Sequence, residues 1–161
     1  MVAARLAELD PATLYGLLQL RVDVFVVEQE CLYPELDGRD MEPDTVHIWV
    51  EAAQQPPTPD GSASHHGSDR QPAAILGCLR VLREPDGAAV IGRVCTAVDA
   101  RGGGVAHRLV TRALQEIGGR PCRLNAQAYL VDFYAGHGFA VTGPEFDDDG
   151  IPHVPMARPA P

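Results

Sequence analysis

The sequence of 161 residues contains no lysine, so its 13 basic residues are all arginines, against 22 acidic ones. The formal charge of −9 argues against a nucleic-acid-binding protein, which needs a basic surface. It would favour a cationic partner, such as an amine, through the overall electric field. The sequence also lacks an apolar run of about 18 residues and a basic-then-apolar N-terminal signal, so we expect neither a membrane protein nor a secreted one.

Closely spaced cysteine pairs are absent as well. The four cysteines are Cys31, Cys78, Cys95 and Cys122. Two of them lie in apolar, strand-like runs, so we interpret all four as buried free thiols of a cytoplasmic protein. We expect no metal site, because His65 and His66 lie in a stretch rich in proline, glycine and serine. That stretch, 54–72, is predicted to be a flexible hairpin tip within one domain spanning 1–161.

The apolar patterning predicts an α/β (α+β) fold. Asp10 and Pro11 mark the start of a helix whose apolar face continues to about Val27. We predict strands at 46–52, 74–83, 90–98, 122–128, 139–146 and 151–157, and further helices at 105–117 and 130–137. Helix 105–117 would be a right-handed crossover that makes its two flanking strands parallel. A ligand site is then expected at the carboxyl ends of those strands, between Thr96 and Gln127.

A glycine-rich turn joins the first of these parallel strands to the crossover helix. Its sequence is Arg101-Gly102-Gly103-Gly104-Val105-Ala106. Glycines allow the backbone to approach a ligand closely, and the first N–H groups of a helix attract anions, so the turn predicts a phosphate or diphosphate site. A Walker loop is excluded because it requires a lysine. A dinucleotide fingerprint does not fit either, because the turn reads Gly-x-Gly-x-Ala and no second βαβ unit follows with an acidic residue.

The pattern that fits is Arg-x-x-Gly-x-Ala, which resembles the pyrophosphate loop of the GNAT superfamily of N-acetyltransferases. The downstream sequence 133–139, with Tyr-x-x-x-Gly-Phe spacing, is similar to the GNAT motif that closes the coenzyme site. Three stretches resemble the ElaA-like branch: Val24–Gln29, Leu124–Ala128 with Phe133-Tyr134, and Asp149–Met156. The resemblance covers nearly the whole chain outside 54–72. It implies a GNAT-type mixed central sheet with splayed parallel strands and flanking helices.

The resemblance also implies the activity, which is transfer of an acetyl group from acetyl-CoA directly to a primary amine. The implied coenzyme residues are Val94, Cys95, Thr96, Arg101, Gly102, Gly103, Gly104, Val105, Ala106, Gln127 and Tyr134. A backbone N–H at the end of the central strand would polarise the thioester carbonyl. Tyr134 would give a proton to the departing thiolate, with Tyr129 as the neighbour most easily mistaken for it. Gln127 departs from the family pattern, in which an asparagine is common. The alternative function is a non-catalytic module that binds acetyl-CoA or CoA.

The acceptor side is less well defined, and its amine could belong to a small molecule, a protein N-terminus or a lysine. Glu28 at the end of the first helix is a candidate base or amine-binding carboxylate, or else a solvated helix end. His47 and His153 are candidate acceptor-site residues or structural histidines. Asp37 and Asp40, in an acidic turn, either attract a cationic acceptor or are simply solvated. The sequence leaves the oligomeric state open, with a homodimer paired through the C-terminal strands as one arrangement.

Overall fold

A computed structural model describes residues 1–53 and 73–160. The predicted loop 54–72, with its two histidines, lies outside the described residues. The strands are β1 (Val2–Arg5), β2 (Val46–Glu51), β3 (Ile75–Arg83), β4 (Ala89–Thr96), β5 (Cys122–Gln127), β6 (Ala140–Val141), β7 (Phe146–Asp148) and β8 (Ile151–Arg158). The α-helices are α1 (Pro11–Arg21), α2 (Val105–Ile117) and α3 (Val131–Ala135). In this part of the chain, no helix combines the length and apolar character needed to cross a membrane.

All eight strands form one mixed sheet in the order β1-β2-β3-β4-β5-β8-β6, with β7 also paired to β8. The pair β4–β5 is parallel and the other pairs are antiparallel. Helix α2 connects β4 to β5, so the crossover predicted from the sequence is present. The predicted α/β class and mixed sheet are therefore confirmed.

The two faces of the sheet are covered by different helices. Helix α2 packs on one face through residues of its apolar stripe, Val105, Leu109, Val110, Ala113 and Ile117. Helix α1 packs on the opposite face, over Trp49, Cys78 and Cys95. The central strands β2 and β3 are buried on both faces, which explains why they are nearly continuous apolar runs. Gly77 lets α2 approach closely, because a Cβ there would lie 2.7 Å from the side chain of Val105.

Three local features differ from the sequence prediction. Strand β1 was not predicted; it has only four residues and is added to the sheet by pairing with β2. The predicted strand 139–146 is split into β6 and β7, with Pro144, which has no N–H to donate, between them. The first helix does not end as an α-helix but continues as a π-helical segment, Val22–Glu28. Such segments are frequent at functional sites.

Strands β4 and β5 separate soon after they begin. They pair only at Ala89–Cys122 and Val90–Arg123, and β5 then pairs with β8 along its whole length. Strand β4 also carries a bulge, with one extra residue between its contacts to Arg80 and Cys78 of β3, and Arg93 at φ 56°. In the described residues, β4 therefore has no strand partner on its β5 side beyond Val90. The splayed parallel pair expected from the resemblance is present.

Candidate active site

The glycine turn presents unoccupied backbone donors at the start of α2. Gly104 is the residue before the helix, and no side chain caps the amides that follow it. The first hydrogen bond of the helix runs from Arg108 N to Gly104 O, so the N–H groups of residues 105–107 have no partner within the helix. Gly102 and Gly104 have φ of 74° and 71°, and a Cβ at either would meet nothing within 4 Å. The turn is thus open to a ligand and suited to an anion.

A cavity of about 450 Å³ opens where β4 and β5 separate. The predicted site residues that line it are Asp37, Val94, Gln127, Tyr134 and His153. Cys95 is not among the lining residues; it is buried beneath α1. Thr96, Glu28 and His47 do not line the cavity either. The structure therefore brings Tyr134 and the β4 backbone to one space, with the glycine turn just beyond the end of β4.

Tyr134 is held rigidly in the cavity wall. Its side chain is buried, and its ring packs edge to face against Phe133 and Phe139. Burial raises the pKa of Tyr134 to about 12, so the phenol is protonated at neutral pH. Tyr129 differs on each point: it is 72% exposed, lies outside the cavity and donates a hydrogen bond to the side chain of Gln127.

A polar clasp, consisting of Glu28, Gln29, Arg101 and Gln127, bridges the carboxyl ends of the two separated strands. Arg101 donates from Nη1 and Nη2 to the two oxygens of Glu28 at 2.8 and 2.6 Å, and from Nε to the carbonyl of Thr96 at 3.3 Å. On the other strand, Gln127 Nε2 donates to Gln29 Oε1 at 3.0 Å. The hydrogen bond from Arg101 lowers the pKa of Glu28, which makes this carboxylate a weak base.

A charge cluster of three arginines and three carboxylates extends from the cavity wall into the protein, with Asp37, Arg80 and Arg93 lining the cavity. Its members are Arg21, Glu35, Asp37, Asp40, Arg80 and Arg93. Arg21 donates from Nη1 to Asp40 at 2.7 Å and from Nη2 to the carbonyl of Glu35 at 3.1 Å. Arg93 Nε lies 2.7 Å from a Glu35 oxygen, and the Arg93 guanidinium covers the Tyr33 ring at 4.9 Å. With equal numbers of both charges, the cluster is electrically balanced.

Two sequence predictions about the acidic turn change in light of this cluster. Asp40 is buried, so a solvated Asp40 was wrong. Burial alone would raise the pKa of Asp40, but hydrogen bonds and charges from Arg21 and Arg80 lower it. Asp37 does line the cavity, but both of its oxygens accept hydrogen bonds from Arg80, and these lower its pKa. His47 is buried with its Nε2 3.3 Å from the carbonyl of Asp40, so its position favours the structural interpretation.

His153, unlike the buried His47, faces the cavity. It lines the cavity on β8, opposite Gln127 on β5, and its ring stacks on Phe146. Its Nδ1 lies 2.8 Å from the carbonyl of Ile151, which can only accept a hydrogen bond, so in the neutral ring Nδ1 carries the proton and Nε2 is the acceptor nitrogen. Asp148, the last residue of β7, and Asp149, in the turn that follows, are exposed and make this rim of the cavity acidic.

Sequence reasoning missed the β4 bulge, the charge cluster and the contribution of Gln29. A signal for the cluster was present, because Arg21 falls on the apolar stripe of the first helix and Arg80 falls within an apolar strand. A charged residue in such a position is buried only when it is paired. The partners themselves could not be identified from spacing.

The splayed mixed sheet and the comparisons with known proteins together identify an acyltransferase. The chain belongs to the GNAT acetyltransferase domain family, whose model matches residues 43–159.

The chain is similar to other proteins over most of their length. A UPF0039 protein of Mycobacterium tuberculosis is 51% identical over 155 residues, which are 94% of this chain and 88% of that protein. Protein ElaA of Escherichia coli is 34% identical over 158 residues, 94% of this chain and 91% of ElaA. The crystal structure of an acyl-CoA N-acyltransferase from Pseudomonas aeruginosa is 37% identical, with a TM-score of 0.81 over 98% of this chain and 97% of that one.

Proposed function

We propose that this protein is an acetyl-CoA-dependent N-acetyltransferase that transfers the acetyl group directly to a primary amine. The observation that carries the proposal is that three features occur together where β4 and β5 separate and at the turn that follows β4. These are the uncapped amides of residues 105–107, the unpaired edge of β4 and the buried phenol of Tyr134. An extended donor that carries a diphosphate and a thioester matches this arrangement, with the diphosphate at the uncapped amides and the thioester near Tyr134.

Donor binding would depend mainly on the backbone. The amides that follow Gly104 would receive the diphosphate, with Arg101 adding positive charge. The free edge of β4 can pair with amide groups of an extended ligand, as a further strand would. The N–H that would polarise the thioester carbonyl is predicted at Val94, Cys95 or Thr96, and of these Val94 lines the cavity next to the bulge at Arg93. Cys95 and Thr96 would contribute through the strand backbone alone.

Tyr134 would assist departure of the thiolate. As the amine nitrogen bonds to the carbonyl carbon and the carbon–sulfur bond breaks, the phenol gives its proton to sulfur and later regains one from solvent. A phenol with a pKa raised to about 12 is a weaker acid than an exposed tyrosine, so the proton would move only as negative charge develops on sulfur. The aromatic packing around Tyr134 fixes its direction for this step.

The acceptor must lose a proton before it attacks, and His153 is the group we propose to remove it. His153 lines the cavity, its ring contacts Phe146 and the Ile151 carbonyl, and in the neutral ring the Ile151 contact leaves Nε2 as the nitrogen that can accept a proton. Glu28 is less suited, because Arg101 lowers its pKa. The exposed Asp148 and Asp149 would attract the cationic form of the amine from solvent. The alternative, a module that binds the coenzyme without turnover, provides no reason for a buried phenol in the cavity.

Four buried free thiols are compatible with the cytoplasmic location proposed from the sequence. A homodimer could form at the short edge strand β6, which pairs on one side with β8.

Binding and turnover can be measured separately. Calorimetric titrations with acetyl-CoA, CoA and ATP should show binding of the first two and not of ATP; binding of ATP alone would refute the proposal. The enzyme would then be mixed with acetyl-CoA and a panel of small primary amines and N-terminal peptides, and the released thiol measured. Thiol release that depends on both substrates supports N-acetyl transfer. Coenzyme binding without amine-dependent release across the panel would favour the binding module.

A further inference from the structure

In the clasp, Arg101 of the glycine turn is paired with the carboxylate of Glu28. A diphosphate bound at the turn would need the same guanidinium group. A guanidinium has two edges that can bind an oxyanion through paired N–H donors, one formed by Nη1 and Nη2 and the other by Nε and Nη2. In Arg101 the first edge is fully used by Glu28, and Nε of the second is used by the Thr96 carbonyl. Arg101 cannot therefore bind a phosphate through a complete edge while Glu28 holds it.

The ion pair is weak enough to be exchanged. The Arg101 and Glu28 side chains are 43% and 39% exposed, and ion pairs with this much solvent contact contribute little to stability. A diphosphate carries more charge than one carboxylate and would also receive the free amides of residues 105–107, which Glu28 does not contact. Exchange of the carboxylate for the diphosphate is therefore favourable.

The two halves of the clasp have different consequences for the donor. Breaking the Arg101–Glu28 pair frees the β4 side of the gap. The Gln29–Gln127 hydrogen bond can persist and keep the end of the first helix attached to β5. Glu28 and Gln29 are adjacent in the chain, so one side of the gap opens while the other stays anchored.

We infer that Glu28 is an internal competitor for the diphosphate of the acyl donor, and that donor binding displaces it from Arg101. This inference depends on the proposed use of acetyl-CoA. It assigns Glu28 a positioning role that acts through Arg101, in place of the role of catalytic base considered from the sequence.

A double-mutant cycle tests the inference through binding, without turnover. The dissociation constant of CoA is measured calorimetrically for the wild type, Glu28→Gln, Arg101→Gln and the double variant. Removing the competitor should tighten binding by about two- to fivefold, the range expected for an exposed ion pair. Without Arg101 there is nothing to compete for, so Glu28→Gln should have no effect in the Arg101→Gln background.

Asp23→Asn is the matched control. Asp23 lies on the same π-helical segment, is exposed and forms no ion pair with any described residue. Its removal changes the net charge by the same amount as Glu28→Gln and should leave the CoA affinity unchanged. Glu28→Ala provides a second variant in case the glutamine amide replaces the carboxylate as a partner of Arg101.

Each outcome has one meaning. Tighter binding only when Arg101 is present supports the inference. Weaker binding of both Glu28 variants would show that Glu28 prepares Arg101 for the coenzyme, and an equal gain in both backgrounds or in Asp23→Asn would show a general charge effect; either result overturns the inference. Failure of the wild type to bind CoA would refute the proposed function at the first titration, before the cycle begins.

Discussion

The two walls of the candidate site are built in opposite ways. The donor wall consists of backbone amides and glycines within a few consecutive residues, 101–107, of which Val105 is buried in the core and most of the others are exposed. The acceptor wall is the part of the cavity that carries Asp37 and His153. It is supported by the charge cluster, whose ion pairs join residues that are far apart in the sequence. Arg80 and Arg93 reach Asp37 across 43 and 56 positions, respectively. One wall is local and open, and the other is assembled by the tertiary fold and mostly buried.

The difference has an energetic consequence. Removing one member of a buried ion cluster leaves its partners charged and without compensation, which is much more costly than the loss of the pair itself would be in water. The donor wall contains no such buried charges. Damage to the acceptor wall should therefore lower the stability of the whole protein, whereas damage to the donor wall should abolish ligand binding and leave the fold intact.

The largest effect is expected for Arg21→Met. Arg21 bonds Glu35 and Asp40 deep in the protein, so its loss leaves two buried carboxylates without their main partner. We expect the free energy of unfolding to fall by about 3–5 kcal/mol. Urea denaturation monitored by circular dichroism measures it.

Arg112→Met provides the control for this prediction. Arg112 pairs with Glu116 one turn along α2, with both side chains more than one-third exposed. Its loss should cost less than about 1 kcal/mol, the value typical of surface pairs. Similar losses for the two variants would mean that the charge cluster is not a special support of the acceptor wall.

The donor wall is tested by Gly104→Val. At φ 71° a branched residue is strained by about 1–2 kcal/mol, and its side chain would occupy the open surface in front of the amides. We expect CoA affinity to fall by at least about 100-fold, equivalent to about 2.7 kcal/mol. Gly87→Val is the control, because Gly87 has φ 83° and equally open surroundings but lies in the β3–β4 turn. If both variants lost affinity equally, general destabilisation would explain the loss.

The same contrast explains what could be predicted from the sequence. The donor wall follows from short-range signals: a strand run, glycines and a helical repeat are adjacent in the chain, and the crossover rule makes the flanking strands parallel. The charge cluster depends on how α1, the acidic turn and two strands come together, and no spacing rule connects Arg21 to Asp40. Arg21 and Arg80 indicated that buried partners must exist without identifying them.

The β4 bulge was unpredictable for a different reason. Its residue at positive φ is Arg93, and a non-glycine residue in that region leaves almost no trace in the sequence. The ion pair between Arg93 and Glu35 and the packing of Arg93 on Tyr33 show that tertiary contacts surround this conformation. The bulge lies in β4, the strand that leads to the donor wall, but its side-chain contacts are with the charge cluster behind the acceptor wall.

Tyr134→Phe tests whether the Tyr134 phenol, which we place between the two walls, donates a proton to the departing sulfur. We expect turnover to fall by about 10- to 100-fold, at or below the lower end of the range of about 100- to 10,000-fold for general acids, because a phenol with a pKa near 12 is a weak acid. CoA affinity should stay within about twofold of the wild type, since the donor is held mainly by backbone groups. Tyr129→Phe is the control and should retain turnover. Unchanged turnover in Tyr134→Phe would remove the proposed acid role.

The smallest effect is expected in the pH dependence of stability. The folded protein lowers the pKa values of Asp37 and Asp40 below the unfolded value of about 4, so their stabilisation is complete above that value and is lost as the pH falls through the folded pKa values. Stability should therefore decrease with acid between about pH 5 and 2, and Asp37→Asn should decrease less steeply, by about 1 kcal/mol over this range. Asp99→Asn removes an exposed carboxylate beyond the end of β4 and should follow the wild-type curve. If Asp37→Asn also followed the wild-type curve, the charge cluster would not be responsible for the loss of stability in acid. The two walls would then not differ in how their contribution to stability depends on pH.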